Sequence, residues 1–362
     1  LILISRHDGD LGRSIVEIRD LNTFEVLHSY KPNIEEIYKK IDLSKDEFKY
    51  LKRDKGVNRF YMWHPAITTK GELIFTSTSP LVKIDFNSNV VWVNDEDIFH
   101  HSTNLDDEEN IYVPSYFKPY SKLVSEYVGL NNATEDYNFA DDAINILDKN
   151  GKTIFSKSVS EILIENGHLN RIFSQQSYKQ DPIHLNDIQP VLKDTKYFKK
   201  GDVFLSLRNL SMVILYRPST NKIIKIIEGE FYKQHDVDII DESRISIYNN
   251  NVFLNYKNER IVKNNEIVIY DFETNSFSKK FEKTFIENKI NTASHGLVDF
   301  LEDGSAIVED RNNGRIFYLS SEGEVIWIFN NLNSKKQVYD LWWARVINLE
   351  KSKKILKLIK ND

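Results

Sequence analysis

The chain has 362 residues, 41% of them hydrophobic and 28% charged, and its 48 basic and 54 acidic side chains give a formal net charge of -6. This composition is ordinary for a globular protein and excludes collagen-like, wholly disordered and multi-span membrane chains. No basic stripe accompanies the mild net acidity, which argues against nucleic acid as a partner because phosphate neutralisation dominates that affinity. Since the sequence has no cysteine, a disulfide framework, a thiolate metal site and a catalytic thiol are excluded as well.

The first residues bear on the location of the protein. The chain opens on Leu1 rather than on Met, and no stretch approaches the ~18 apolar residues that a membrane-spanning helix needs. We expect the native start to lie upstream, which leaves room there for a removed signal peptide or a membrane anchor.

Short runs of Val, Ile, Phe, Tyr and Leu between turn residues predict strands over most of the chain. In chain order, a pair of strands at residues 14–20 and 24–27 comes first. A helical pattern follows over residues 34–50, which we interpret as a helical insertion at about 34–55. A second, short helical pattern lies at residues 158–166.

A repeated unit fills most of the remaining chain. Each copy starts with a histidine at the entry of a strand, passes through a turn to a second strand, and ends on two further strands. The copies start at His64, His101, His184, His235 and His295. Units of four strands at such irregular periods are typical of propeller blades that carry insertions.

Ring closure decides the architecture. The N-terminal strands form a partial unit that residues 341–347 could complete, which would give a sixth blade. We therefore predict an all-β fold, a six-bladed β-propeller with short helical insertions, and keep seven blades as the alternative. Residues 1–362 would form a single domain, closed between the N-terminal strands and about 340–350.

The five histidines of the repeat would converge on one mouth of the channel, because the first strand of a propeller blade is the innermost one. The start of that strand lies opposite the end of the second strand in a hairpin. This rule predicts three sets of neighbours: His184 with Arg208, His235 with Tyr248 and Asn249, and His295 with Asp310 and Arg311. Imidazole and guanidinium groups together suit an oxyanion such as sulfate or phosphate, and a neutral imidazole can act as a covalent nucleophile.

Two other interpretations of the histidines stay open. They could simply bond the neighbouring blade at each strand entry, or three of them could bind a metal ion. A metal site is the weaker interpretation, since its donors would come from different blades and lie beside arginine rather than supporting carboxylates. We expect His7, His28 and His168 to lie outside the site, and we interpret the Trp342-Trp343 pair as ring-closing core rather than as a ligand platform.

Several segments of the sequence resemble one family. They are His100-His101, then His184-Leu185-Asn186 with Ser206-Leu207-Arg208, and then Gln234-His235. In this order they are similar to segments of the bacterial arylsulfotransferases, the PAPS-independent aryl sulfate sulfotransferases, over about residues 60–345.

The resemblance implies a propeller that moves a sulfuryl group from a phenolic sulfate ester to a phenol-type acceptor through a sulfohistidine intermediate. It implies no nucleotide donor and no other cofactor, with the aryl sulfate and the phenol as small-molecule partners. It also implies a periplasmic location, either free or membrane-anchored facing the periplasm. Two alternatives stay open: a non-catalytic ligand-binding or scaffold propeller of the same family, and a sulfate or phosphate ester hydrolase.

The resemblance also implies roles for individual residues. His235 would be the sulfated nucleophile, while His184 and Arg208 would hold the sulfuryl oxygens. His101, or its neighbour His100, would take part in binding or proton transfer. The predicted catalytic residues are therefore His235, His184, Arg208 and His101, the predicted substrate-binding residues are His100, His295, His64, Asn186, Asn249 and Arg311, and no metal ligand is assigned.

Overall fold

The chain folds into antiparallel sheets that are arranged as six blades around a central channel. The computed structural model of the protein describes residues 1–45, 48, 56–77, 80–129, 139–173 and 179–361. The strands are β1 (Ile2–Asp8), β2 (Arg13–Arg19), β3 (Val26–Tyr30), β4 (Trp63–Ile67), β5 (Leu73–Thr76), β6 (Leu81–Ile84), β7 (Val90–Asn94), β8 (Asn104–Leu105), β9 (Ile111–Tyr116), β10 (Asp142–Leu147), β11 (Thr153–Ser158), β12 (Leu185–Pro190), β13 (Val203–Leu207), β14 (Met212–Arg217), β15 (Lys222–Glu228), β16 (His235–Ile239), β17 (Arg244–Asn249), β18 (Val252–Leu254), β19 (Arg260–Val262), β20 (Glu266–Asp271), β21 (Ser276–Lys280), β22 (Leu297–Phe300), β23 (Ala306–Asp310), β24 (Arg315–Leu319), β25 (Val325–Asn330) and β26 (Leu341–Val346).

Each blade is a four-stranded sheet with its first strand at the channel. The strands β4 to β7, β8 to β11, β12 to β15 and β22 to β25 form four blades in plain succession. A fifth blade has the order β16-β17-β20-β21, because the separate hairpin β18–β19 interrupts it, and the last has the order β26-β1-β2-β3. The prediction of a six-bladed β-propeller is therefore confirmed, and the seven-bladed alternative is wrong.

The hydrophobic core lies between the faces of neighbouring blades, as strand alternation requires. In β13, the buried side chains Val203, Leu205 and Leu207 join the core shared with the preceding blade. Phe204, which points the opposite way, joins the core shared with the following blade. Every central strand is thus buried on both faces, which explains its nearly unbroken apolar sequence.

The two ends of the chain meet in one blade. The last strand, β26, pairs antiparallel with β1, with Ile2 opposite Val346 and Ile4 opposite Ala344. The innermost strand of this blade therefore comes from the C-terminal part of the chain and the other three come from the N-terminal part.

Aspartates of four blades each bond the inner strand of the following blade. Carboxylate oxygens of four buried or half-buried aspartates accept backbone N–H groups of the next blade at 2.7–3.0 Å. The pairs are Asp142 with Leu185, Asp187 with Val237, Asp236 with Val298 and Asp299 with Val346. These bonds fix the spacing of the strand entries from which the histidines project.

Helices lie outside the sheets. They are α1 (Ile34–Tyr38), α2 (Lys122–Val128), α3 (Val159–Glu165), α4 (Glu282–Glu287) and α5 (Leu349–Asn361). The pattern at residues 158–166 corresponds to α3, whose N-cap Ser158 accepts the N–H of Glu161. Of the insertion expected at about 34–55, the structure describes α1 and little beyond it, since residues 46–47 and 49–55 lie outside the described part. Sequence reasoning missed α5, and none of the described helices is long and apolar enough to cross a membrane.

Candidate active site

A backbone kink at each strand entry presents the repeat histidines to one another. Four of them have φ values in the left-handed region, between 44° and 61°: His64, His101, His184 and His295. At the fifth, the kink falls on the next residue, Asp236, with φ 50°. The pairing register shifts at the entries of β4, β12 and β16, and such bulges re-aim a side chain away from the normal strand alternation.

The five rings form one cluster at the mouth of the channel, which we call the histidine cluster. Its members are His64, His101, His184, His235 and His295. Ring centroids lie 4.9 Å apart for His101 and His184, 5.5 Å for His235 and His295, and 5.9 Å for His64 and His295. The structure thus brings together residues that are up to 231 positions apart in sequence, from His64 to His295.

The hydrogen bonds of His235 fix its tautomer. Nδ1 of His235 lies 2.6 Å from Oδ1 of Asn250, while Nδ2 of Asn250 donates to the carbonyl oxygens of Thr292 and His295. Because the amide nitrogen is committed to those carbonyls, Oδ1 must face His235 and accept a hydrogen from Nδ1. Nε2 of His235 therefore carries the lone pair, and it lies 3.3 Å from the backbone N–H of His295.

The environment of His235 favours the neutral ring. Burial, followed by the charge of Arg208, lowers the pKa of His235 well below its ordinary value. A buried imidazole near a guanidinium group loses its proton readily, since both effects penalise the charged form. His235 is thus neutral at physiological pH and carries its lone pair on Nε2, which accepts the N–H of His295 at 3.3 Å and must exchange that weak bond for sulfur if the ring acts as a nucleophile.

His184 and Arg208 lie side by side, as the hairpin rule predicts. The backbone N–H of Arg208 donates to the carbonyl of His184 at 3.1 Å, and Nδ1 of His184 lies 2.5 Å from a carboxylate oxygen of Asp181. Although burial opposes the shift, the hydrogen bond and charge of His184 lower the pKa of Asp181. Asp181 therefore orients the ring of His184 as an ionised carboxylate.

His101 belongs to the cluster and His100 supports it. The Nδ1 atoms of the two rings are 2.7 Å apart, and Nε2 of His100 lies 3.3 Å from a carboxylate oxygen of the buried Asp142. Burial, followed by the charges of His100 and His184, lowers the pKa of His101 well below its ordinary value. His100 thus links the cluster to the aspartate that ties β10 to β12.

An aromatic wall flanks the cluster beside His64 and His295. It consists of Tyr61, Trp63, Trp342 and Trp343. The rings of Trp63 and Trp342 stack 5.7 Å apart, Tyr61 lies 4.5 Å from Trp342, and Trp343 lies 4.5 Å from His64. The interpretation of Trp342 and Trp343 as core alone is incomplete, because both belong to the closing strand β26 and also contact rings at the mouth.

Arginine side chains stack on this wall from outside. The guanidinium of Arg311 lies 4.6 Å from the ring of Trp342, and that of Arg345 lies 4.7 Å from the ring of Trp343. Arg311 also donates through Nε to the carbonyl of Leu341 at 3.2 Å. Burial lowers the pKa of His64 to about 3, with the charges of Arg311 and Arg345 adding to the shift.

Several buried nitrogens of the site have no hydrogen-bond partner among the described residues. They are Nε1 of Trp63, Trp342 and Trp343, and Nδ1 of His64 and His295. These nitrogens are free to donate hydrogen bonds to a ligand that offers oxygen acceptors, as a sulfuryl or phosphoryl group would.

Two of the predicted substrate-binding residues are hydrogen-bonded to the protein itself. Asn249 is 1% exposed, and its amide bonds the backbone N–H groups of Tyr232 and Asn251 and a carboxylate oxygen of Glu266. Asn186 donates from its buried amide to the carbonyl of Gln234. The assignment of Asn249 and Asn186 to substrate binding stays a prediction, and Asn250, one position past Asn249, is the amide that faces His235.

The other three histidines lie apart from the cluster. His28 stacks on Phe86 at 3.8 Å in the outer part of its blade, and His168 precedes a short 3-10 turn. His7 stacks on Tyr339 at 5.4 Å and lies 6.4 Å from Tyr61 of the aromatic wall. His7 is therefore a neighbour of the wall rather than a member of the cluster.

Sequence reasoning missed several residues of the mouth: Asn250, Asp181, Lys233, Tyr61 and Trp63. Each lies within three positions of a residue that was identified, and Asn250 directly follows Asn249. The repeat pattern gave no signal for them, since they differ from blade to blade. Among the described residues, no group of three His, Asp or Glu side chains is placed to hold a metal ion.

Comparison with known proteins identifies the family of the chain. Residues 66–332 match the sequence profile of a family described as arylsulfotransferase (ASST). No curated protein matches the chain. A solved structure of a protein of unknown function from Bacteroides caccae is similar in fold, with a TM-score of 0.55 and 12% identity over 95% of this chain and 97% of that one. A virginiamycin B lyase from Staphylococcus aureus is more distant, with a TM-score of 0.41 and 11% identity over 74% of this chain and 69% of that one.

Proposed function

Since this chain belongs to the arylsulfotransferase family, we propose that it transfers a sulfuryl group from a phenolic sulfate ester to a phenol through a sulfated His235. The observation that carries the proposal is the state of His235, a neutral ring whose Nδ1–H is committed to Asn250 and whose Nε2 carries the lone pair. Neither a scaffold propeller nor a simple anion-binding site needs a histidine prepared in this way.

In the first half of the reaction, the lone pair of His235 Nε2 attacks sulfur. The N–S bond forms as the ester S–O bond breaks, and the electron pair of that bond leaves with the phenolate oxygen. Positive charge develops on the imidazole, and the hydrogen bond from Nδ1 to Asn250 stabilises it. In the second half, a phenol oxygen attacks sulfur, loses its proton, and breaks the N–S bond to restore the neutral ring.

The surrounding groups suit the charge that develops in these steps. Sulfuryl transfer, like phosphoryl transfer, depends mainly on positioning and on donors to the equatorial oxygens. Arg208 and the unpaired ring nitrogens of His64 and His295 can supply such donors, and the N–H of His295 joins them once Nε2 of His235 is bonded to sulfur. His184, oriented by Asp181, is the candidate for exchanging a proton with the phenolic oxygens.

The aryl part of both substrates fits the aromatic wall. Tyr61 and Trp63 are the half-buried members of that wall, so their rings are accessible from the mouth. Offset stacking of a phenol ring on an aromatic side chain contributes about 0.5–1.5 kcal/mol beyond the burial of its area.

We further propose a periplasmic location, free or anchored, which fractionation of the native organism would check.

Intact-mass spectrometry tests the proposal directly. The protein is mixed with an activated aryl sulfate, and the wild type is compared with His235→Ala and with the control His168→Ala, which lies outside the cluster. We expect a gain of about 80 Da, one sulfuryl group, on the wild type and on the control only. An adduct on His235→Ala, or phenol release from the wild type without any adduct, would refute the covalent mechanism. If added phenol acceptor does not accelerate the release of the product phenol, the protein is a hydrolase.

A further inference from the structure

A lysine lies beside Arg208 in an arrangement that leaves positive charge uncompensated. Nζ of Lys233 donates to Oδ1 of Asn209 at 2.8 Å, and Nη1 of Arg208 donates to the same oxygen at 2.9 Å. The orientation of the Asn209 amide is fixed, because its Nδ2 donates to the carbonyl of Asp181 at 2.8 Å. Two cations therefore converge on one neutral oxygen, where a structural site would place a carboxylate.

Two more cations face this pair, and we call the four residues Arg208, Lys233, Lys179 and Arg260 the cationic cluster. The charge of Arg260, after burial, lowers the pKa of Arg208. Burial, followed by the charges of Arg208 and Lys179, lowers the pKa of Lys233 to about 8. Arg260 therefore lies close enough to act on Arg208, and Lys179 lies close enough to act on Lys233.

One carboxylate lies close to the cluster and is already engaged. Asp181 acts on Arg208 and Lys233 through its charge, but it is bonded to His184. Within the described part of the chain, neither Arg208 nor Lys233 forms an ion pair. Lys233 is also held in the left-handed region, with φ 55°, a conformation that costs a lysine free energy.

We propose that the cationic cluster binds a second anionic group of the substrate, so that the preferred donor is an aryl sulfate whose ring also carries a carboxylate, phosphate or second sulfate. The inference rests on the proposed function, in which Arg208 holds the sulfuryl oxygens. One sulfate monoester carries one negative charge, which Arg208 compensates by itself. Lys233, Lys179 and Arg260 then face a substituent beside the sulfate, and the aromatic wall contacts the ring.

Aryl sulfonates test this inference without any transfer chemistry, because their C–S bond does not break. Titration calorimetry compares benzenesulfonate with the three isomers of sulfobenzoate, which differ from it by one carboxylate. We expect at least one isomer to bind the wild type about tenfold more tightly than benzenesulfonate, as a charged hydrogen bond provides. Lys233→Met should remove that preference while leaving the affinity for benzenesulfonate within about twofold.

Two further variants serve as a control and as an independent test of the cationic cluster. Lys225→Met is the matched control, since Nζ of Lys225 also donates to an asparagine oxygen, Oδ1 of Asn275 at 2.7 Å, but on the exposed outer strand β15. Arg260→Met, on the exposed hairpin, should reduce the preference even if Lys233→Met does not fold. The inference would be overturned if the wild type binds all four sulfonates with equal affinity. It would also be overturned if Lys233→Met and Arg260→Met each lose the same amount of affinity for all four. If the wild type prefers a sulfobenzoate but no sulfated enzyme forms, the anion site is supported and the proposed sulfuryl transfer is refuted.

Discussion

At the scale of single residues, the hydrogen-bond partners of the histidines give chemically similar rings different tasks. His235 faces the neutral amide of Asn250, which orients the ring without adding charge, while His184 faces the ionised carboxylate of Asp181. A carboxylate partner favours the protonated imidazole and an amide partner permits the neutral one. The nucleophile and the proton-exchanging residue of the proposed reaction are distinguished by these partners.

The first prediction concerns Asn250. Asn250→Leu removes the acceptor for Nδ1–H, so that the proton can move to Nε2 and block attack on sulfur. We expect the rate of enzyme sulfation to fall about tenfold or more, as the loss of one buried hydrogen bond to a developing charge implies. The measurement is the single-turnover rate of phenol release, and an unchanged rate in a folded variant would contradict the tautomer argument.

The pH dependence of the same rate provides the second prediction. Because burial and Arg208 lower the pKa of His235, its neutral form persists as the pH falls through the ordinary histidine value of about 6.5. Sulfation of the wild type should therefore continue undiminished below that pH and fail only under more acidic conditions. A single-turnover pH profile with an acid limb centred near pH 6.5 would show that His235 is an ordinary, solvated histidine.

At the scale of secondary-structure elements, the nucleophile owes its position to the blades on both sides. Its strand β16 is tied to β12 through Asp187 and Val237, and to β22 through Asp236 and Val298. The bulge at the entry of β16 then turns His235 toward the cluster. Contacts between blades thus set the position of His235 along the channel, and the local bulge sets the direction in which its side chain points.

The third prediction separates the acceptor role of Asp187 from its charge. Asp187→Ala leaves the buried N–H of Val237 unpaired, whereas Asp187→Asn keeps an oxygen acceptor and removes the same charge. We expect the free energy of unfolding to be about 1–3 kcal/mol lower for the alanine variant than for the asparagine variant. Urea unfolding measures the difference, and equal stabilities would show that the tie to β16 contributes nothing.

At the scale of the whole molecule, the site exists only in the closed ring. The aromatic wall contains Trp342 and Trp343 from the C-terminal strand β26, and Trp343 contacts His64 of another blade. Pairing of β26 with β1 joins residues more than three hundred positions apart. Closure therefore contributes both to stability and to the mouth of the channel.

The fourth prediction uses the absence of cysteine from the sequence. Ile4→Cys combined with Ala344→Cys places two thiols directly opposite each other in the β1–β26 pair. Because the chain has no native cysteine, these two thiols can pair only with each other within one molecule. Oxidation should raise the free energy of unfolding of this variant by roughly 3–5 kcal/mol relative to its reduced form, because the disulfide closes a very long loop. Thermal unfolding with and without reductant measures the effect, and an oxidised form that is no more stable would indicate that the closure opens independently of global unfolding.

The sequence by itself determined the blades and the residues that converge between them. Strand alternation, turn residues and a histidine at each unit entry are local signals, and they predicted the propeller, the histidine cluster and the pairing of His184 with Arg208. Helix α5 and the hairpin β18–β19 were missed because neither belongs to the repeat.

Only the tertiary structure decided which groups face which. Asn250 rather than Asn249 orients His235 within one blade, whereas Lys233 shares an acceptor with Arg208 and Trp343 contacts His64 between blades. The chain between the members of each pair carries no pattern that records the contact. A periodic sequence specifies the repeat of a propeller, whereas the chemistry of its mouth depends on the non-periodic residues that ring closure brings together.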